Sequence, residues 1–339
     1  METKFILSMN DFNKYCQKKK DELNYITGQC DKCSQKKVCM LENKEFHIDG
    51  LLHMSTMETR FPKLLDLLQN NPNIPYSIPA TIYKSVYGLY QQTFSCPFNT
   101  ALILNSFDKL EKIYNLLLDK TSQKVFLNLL MYRLTHNRDY VLRAYSMEPQ
   151  YFISTFRGLS SNQVYVDCGA YNGDSFINYC QYNDVPKVAY LFEPDSKNYN
   201  FMNHSLQAYR KLCKINLIKK GAYKFTGSLY FDGGKGVNSR LLETPVKNST
   251  QLSVTSIDDV IAEDITFIKM DIEGAEKEAL LGAEKHIFNN YPKLAISIYH
   301  FNDDLWEIPL MIKSKFPKYE NFQIRHHSKF NSETVLYVY

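Results

Sequence analysis

The chain has 339 residues, 44% hydrophobic and 22% charged, with a formal net charge of +4. That length allows two cores, the composition excludes a disordered chain, and so weak a charge argues against a nucleic-acid partner. No apolar run reaches the roughly 20 residues that cross a bilayer, so no membrane span is expected.

The first residues, METKFILSMNDF, hold one Lys and a very short apolar patch, unlike a secretory leader. A cytoplasmic location is therefore expected, with the eight cysteines mostly reduced. Residues 1–150 read as a mainly helical domain. GQCDKCSQKKVCM carries Cys30, Cys33 and Cys39, with Cys16 upstream. A C-x-x-C pair puts two thiolates on one turn, ready to share a metal. The stretch resembles part of a SPASM-type cysteine motif but lacks the cysteine that should follow. Zinc and an iron–sulfur cluster are both candidates at Cys16, Cys30, Cys33 and Cys39, and ordinary reduced cysteines are the alternative. Further on, Asn99 and Thr121 read as helix caps. Phe107, Leu110, Tyr114 and Leu117 share one helical face, and Val125, Leu129 and Tyr132 share the next.

Residues 151–339 read as a second domain, in which strands alternate with helices. Strands are expected at 164–168, 187–192, 215–219, 266–270, 293–298, 322–326 and 334–338. Helices are expected at 175–181, 196–212, 274–289 and 303–316. Such alternation implies a parallel sheet with crossovers. The last two strands are joined by a hairpin-length loop, SKFNSE, so the final strand should run antiparallel. The expected fold is α/β, a seven-stranded, mostly parallel, doubly wound (Rossmann-like) sheet with an antiparallel last strand.

VYVDCGAYNGDS closes the first of these strands. Asp167, Gly169 and Gly173 sit where the strand gives way to a helix, and glycine there lets a ligand approach the backbone. Asp174 and Ser175 open the helix, whose free amides favour polar groups. Glu193 follows about twenty residues later at the end of the second strand, where an acid usually bonds a ribose diol. The third glycine of a dinucleotide fingerprint is absent, and Asp167 precedes the first. An acid there suits the cationic methionine end of S-adenosylmethionine and would repel a pyrophosphate, so S-adenosylmethionine is expected ahead of NAD.

FIKMDIEGAEKEALLGAEKHIF is the second motif. Asp271 and Glu273 meet Gly274 at the end of the fourth strand, beside the first, in the crevice where open α/β sheets bind ligands. Glu276 and Glu278 read as solvated helix residues. VDCGAYNGDS, FEPD, SIDDVI and IKMDIEGAEKEALLGA occur in this order, and EPQYF precedes them. Together they resemble the FkbM-type family of S-adenosylmethionine-dependent methyltransferases over residues 145–339. The resemblance implies an O-methyltransferase acting on a sugar hydroxyl of a glycan or its activated precursor. By position it also implies that Asp167, Gly169, Ala170, Tyr171, Gly173 and Ser175 hold the methionine moiety, Glu193 the ribose, and Gly221 and Ala222 the adenine side.

Asp271 is the first candidate for a general base, and His300, at the end of the fifth strand, is the second. Asp271, Glu273 and His300 could together hold a divalent cation that acidifies the acceptor. Glu273, Arg240 in the glycine-rich segment FDGGKGVNSRLLE, and His326 are candidate acceptor contacts, with structural roles for Arg240 and His326 as the alternative. The helical half would shape the acceptor site or mediate a homodimer. Two other functions stay open. One is a methyltransferase of peptide or cofactor maturation using the N-terminal metal site. The other is a non-catalytic S-adenosylmethionine-binding scaffold.

Overall fold

The computed structural model describes residues 8–28, 100–135, 137–232, 240–242 and 250–339. The chain divides into two units, one of residues 1–114 and 126–144, the other of residues 115–125 and 145–339. The expected sites Cys30, Cys33 and Cys39 lie outside the described residues, as does the cap Asn99.

In the first unit the described elements are helical: α1 (Met9–Gly28), α2 (Thr100–Leu104), α3 (Phe107–Leu116), the larger part of α4 (Lys120–Thr135) and α5 (Arg138–Ala144). Cys16 is fully buried on α1. Val125, Leu129 and Tyr132 of α4 are buried, as helical spacing expected, and so are Leu110 and Leu117 of the preceding face, whereas Phe107 and Tyr114 are half-buried and Ile113, outside the expected set, is buried. The cap of α4 is Asp119 rather than Thr121. Its carboxylate accepts the Ser122 N–H at 2.9 Å and the Ser122 hydroxyl. Aspartate is the stronger cap, and it stands one residue before the first helical position.

The second unit is built on a seven-stranded sheet of order β10-β11-β9-β8-β1-β2-β3. Its strands are β1 (Val164–Cys168), β2 (Val188–Phe192), β3 (Lys214–Ile218), β8 (Phe267–Met270), β9 (Lys293–Ser297), β10 (Phe322–His326) and β11 (Thr334–Val338), each within a residue or so of its expected bounds. Neighbours pair in parallel except β11, which runs antiparallel to both β9 and β10. The sheet is thus the expected one. Strands β1 and β8 are adjacent, and the chain winds outward from them in opposite directions. Their carboxyl ends therefore form the topological switch point where such sheets bind ligands.

Every residue of β1, β2 and β8 is buried, as expected of parallel strands covered on both faces. An aromatic cluster of Phe152, Phe156, Tyr165, Phe176, Tyr179 and Phe267 fixes that core. Tyr165 and Tyr179 hold β1 against α6 (Asp174–Tyr182), with ring centroids 4.5 Å apart. Burying each such ring is worth about 1.5–3 kcal/mol.

Two helices depart from expectation. The one expected at 196–212 ends as α7 (Ser196–Ser205), and a 3-10 turn follows at Tyr209–Lys211. The one expected at 274–289 is two helices, α9 (Glu276–Leu281) and α10 (Glu284–Asn290). Between β3 and β8 lies α8 (Ile257–Val260), and its Asp258 accepts the Lys285 and His286 N–H groups, capping α10 from outside its own sequence. A smaller sheet of order β4-β7-β5-β6 also lies between β3 and β8. It is formed by β4 (Gly221–Ala222), β5 (Gly227–Asp232), β6 (Arg240–Leu242) and β7 (Thr250–Thr255). Strands β5 and β6 pair antiparallel, so the glycine-rich segment begins and ends as a β-hairpin.

Candidate functional site

The turn after β1 is held from beneath. Asp167 is fully buried, and its carboxylate meets the Lys269 ammonium at 2.9 Å, the Ser175 hydroxyl at 2.6 Å and the Tyr165 hydroxyl at 3.2 Å. Both oxygens therefore face protein groups, so the charge expected to meet the methionine end is used internally. Burial alone would lower the Lys269 pKa, but the Asp167 and Asp271 carboxylates outweigh it and hold it above the usual lysine range. Lys269 also donates to the Gly169 carbonyl at 2.7 Å, tying the turn to β8.

Gly169 has φ +80° and Gly173 φ +88°, conformations that L side chains rarely adopt. A Cβ at Gly169 would stand 1.9 Å from the Asp271 carbonyl oxygen, and one at Gly173 would press on Leu206. What requires glycine at these positions is the chain's own close packing, rather than the ligand approach expected from the sequence. Ala170 is buried, while Tyr171, at φ +47°, is more than half exposed. Glu193 lies beside the turn at the end of β2. Its two oxygens accept the Tyr171 and Asp195 N–H groups, each at 2.9 Å. Burial raises its pKa, against those two hydrogen bonds.

Asp271 follows β8 across the switch point. Tyr151 donates to its Oδ2 at 2.6 Å and Tyr299 to its Oδ1 at 3.1 Å. Burial, then the Asp271 charge, holds both phenols protonated far above their ordinary pKa, so they act only as donors. Gln150 bridges the Tyr151 hydroxyl and Glu333, which stands in the turn before β11. Burial, then the charge of Asp271, raises the Glu333 pKa above the usual carboxyl range.

His300, reached through the loop after β9, is 6% exposed. Its Nδ1 lies 3.0 Å from Glu276 Oε1, and its Nε2 lies 3.4 Å from Asp271 Oδ1 and 3.7 Å from Glu273 Oε2. Burial would lower its pKa, but Glu276, Asp271 and Glu273 carry it to about 9. That direction favours the protonated ring, which does not suit a base at neutral pH. Glu276 is not the solvated residue expected from helical position. It is 1% exposed, and it accepts the Ile272 N–H at 2.8 Å. Four non-glycine residues around this crevice, Tyr151, Tyr171, Glu273 and Glu333, have positive φ. Such conformations cost free energy and cluster where surrounding structure enforces a shape.

Residues 167–327 match the family described as the methyltransferase FkbM domain. That stretch is therefore similar to an FkbM methyltransferase domain. The crystal structure of methyltransferase FkbM from Methylobacillus flagellatus KT is 27% identical to it, with a TM-score of 0.63. That match covers 82% of this chain and 70% of the other. More distant is a putative rRNA methylase from Clostridium thermocellum, with 12% identity, TM-score 0.35, and coverage of 53% of this chain and 87% of that one. A putative methyltransferase from Streptococcus mutans in complex with SAH shows 15% identity, TM-score 0.32, and coverage of 53% and 89%. No curated protein matches the sequence.

The remaining expected contacts are spread over later elements. His326 is fully buried, with Nδ1 2.8 Å from the Thr334 hydroxyl and Nε2 2.7 Å from the Phe330 carbonyl, so it is a structural histidine rather than an acceptor contact. Its neighbour His327 is likewise engaged, by the Glu148 carbonyl and the Tyr337 hydroxyl. Arg240 pairs through its backbone with Asp232, and its side chain lies outside the description. Gly221 and Ala222 form β4, just past the carboxyl end of β3. Glu333 and Tyr299 carry no sequence signal, since each reaches the crevice only through the fold. Lys269 does carry one: a lysine inside an apolar parallel strand needs a buried partner. Among the described residues no helix is long and apolar enough to cross a membrane.

Proposed function

We propose that the FkbM-like domain is an S-adenosylmethionine-dependent O-methyltransferase whose acceptor is a sugar hydroxyl, in a glycan or its activated precursor. The observation that carries this reading is the meeting of the β1 turn, Glu193 and Asp271 at the switch point of the sheet. The donor set fits the cofactor. The Glu193 carboxylate takes two backbone N–H groups and a hydrogen bond from the Asn198 side chain, which leaves acceptor capacity for a ribose hydroxyl. Carboxylates outnumber cations around the crevice, which suits a cofactor with a sulfonium and an ammonium. When bound, S-adenosylmethionine supplies a methyl group on a positively charged sulfur, open to in-line attack.

The residues of the chain supply position and a proton acceptor. Asp271, fixed by two tyrosine hydroxyls, orients the acceptor hydroxyl. The proton passes to the Asp271–Glu333 carboxylate pair. Glu333 suits that role, because burial and the Asp271 charge raise its pKa above the usual carboxyl range. Tyr171 and Phe301, both about half exposed, offer apolar faces of the kind a sugar ring packs on. The choice of a sugar hydroxyl rests on the resemblance to FkbM-type enzymes.

The test is transfer of labelled methyl from S-adenosylmethionine to a panel of oligosaccharides and nucleotide sugars, with the methylated atom located by NMR. Label on a sugar oxygen is expected. Asp271→Asn and Glu333→Gln should each lower kcat by roughly 10²-fold or more, the usual scale for a general base, with cofactor affinity retained. Label on nitrogen or carbon would overturn the O-methyl reading, and failure to bind S-adenosylmethionine would overturn the whole of it.

A further inference from the structure

His300 is the side chain least explained by methyl transfer alone. Its ring is 6% exposed, and both of its buried nitrogens face carboxylates. Behind it stands Glu276, almost wholly buried, with Oε1 3.0 Å from Nδ1. In front, Nε2 faces Asp271 Oδ1 at 3.4 Å and Glu273 Oε2 at 3.7 Å. Asp271, Glu276 and His300 each bring a donor atom within 4.8 Å of the others.

The order of these groups matters. A histidine that binds a metal through one nitrogen almost always gives the other to a carboxylate, which fixes the ring and its tautomer. Glu276 is so placed at Nδ1, and the N–H of Ile272, donated at 2.8 Å, holds that same oxygen in place. The gaps in front are long for charge-assisted hydrogen bonds, which run to about 2.7–2.9 Å. They suit an intervening cation: metal–ligand bonds of about 2.1 Å at tetrahedral angles separate the donor atoms by roughly 3.4 Å. Glu273 stands in front of Nε2 on a strained backbone, φ +57°, and its side chain, 92% exposed, must turn toward Asp271 to complete the set.

We propose that His300 Nε2, Asp271 and Glu273 bind one divalent cation, with Glu276 as the positioning residue behind the imidazole. One nitrogen and two carboxylates form a mixed donor set of the kind that takes Mn²⁺, Mg²⁺ or Zn²⁺. The role of the ion, though not its binding, rests on the methyltransferase reading. An acceptor hydroxyl on the ion is polarised and gives its proton to Glu333, the nearby carboxylate not used as a ligand.

The test uses the full chain, stripped with EDTA and titrated with Mn²⁺, while the EPR signal of free ion is followed. Mn²⁺ prefers oxygen and nitrogen donors, so the N-terminal cysteines contribute little. One saturable site per chain is expected. Affinity should fall at least tenfold in His300→Gln and in Glu273→Gln, and ten- to a hundredfold in Glu276→Gln. Circular dichroism checks that each variant is folded, and Glu278→Gln, on the same helix, should leave affinity unchanged. A folded wild-type chain with no saturable site at millimolar Mn²⁺ overturns the proposal, as does binding that survives both His300→Gln and Glu273→Gln. Methyl transfer is measured separately. A chain that binds Mn²⁺ but transfers no methyl keeps this site and loses the reading above, and a chain equally active after stripping keeps that reading and overturns the ion's role in it.

Discussion

Asp167 and Lys269 occupy paired positions on adjacent strands, and their side chains meet at 2.9 Å almost wholly out of water. The ammonium also reaches the Gly169 carbonyl and lies 5.2 Å from the centre of the Tyr151 ring. One buried cation thus joins the β1 turn, β8 and a tyrosine that holds Asp271. Removing one partner leaves the other charge uncompensated, which typically costs about 3–5 kcal/mol. Lys269→Met and Asp167→Asn should each lower the unfolding free energy from urea titration by such an amount. The double variant should lose clearly less than the sum. Strict additivity would show that the pair is not coupled.

Gly169 and Gly158 separate two effects of glycine. Both have positive φ, but a Cβ at Gly158 meets nothing within 4 Å, whereas at Gly169 it meets the Asp271 carbonyl oxygen at 1.9 Å. Gly158→Ala should cost only the backbone strain, about 1–2 kcal/mol. Gly169→Ala must push β1 and β8 apart at the switch point, so it should cost much more and abolish S-adenosylmethionine binding in any protein that still folds. Thermal melting and calorimetric titration of the two variants decide this.

Glu193 should act on cofactor affinity more than on chemistry. Glu193→Ala removes both candidate ribose contacts and frees the Tyr171 N–H. The KM for S-adenosylmethionine should rise at least tenfold, about 1.4 kcal/mol, with kcat changed much less. A fall in kcat at unchanged KM would place Glu193 outside the cofactor site.

His327 supplies a pH dependence of stability. Burial lowers its pKa to about 4, against about 6.5 in an unfolded chain. The unfolded state therefore takes up the proton first as pH falls. The stability present above pH 6.5 is lost progressively down to pH 4, at most about 3 kcal/mol for this group. Asp304, which burial holds up to about 6, works in the opposite sense below that pH. His300, held up to about 9, does so between pH 9 and 6.5. The His327 contribution is best read as a difference: from pH 7.5 to 5, His327→Gln should lose less stability than the wild type in urea unfolding.

The strands and the switch point were legible because each strand is an apolar run bounded by turns, and their order follows from alternation with helices. The break at Gly282 was not legible. A Cβ there would lie 2.0 Å from the Tyr223 carbonyl oxygen, and the second helix is capped by Asp258 from elsewhere in the chain. Both causes are tertiary. Glu276 shows the same limit from the side of the site. Acids in the first turn of a helix are usually solvated, and only His300, twenty-four positions later, draws this one inside. Asp167 and Asp271 stand at the switch point as their strands place them, but their surroundings were not legible: one faces an internal lysine, and the other is held by two tyrosines.

The reversed last strand has a consequence for how such a domain could diversify. Because β11 runs antiparallel, the turn at 327–333 is brought up to the carboxyl edge of the sheet, and Glu333 enters the crevice from a hairpin. The grip proposed for the methyl donor, by contrast, is built into the ends of β1 and β2. Lengthening or shortening that hairpin would re-aim the proposed proton acceptor while leaving the donor's cradle untouched. Acceptor preference and donor recognition are thus separately adjustable parts of one crevice.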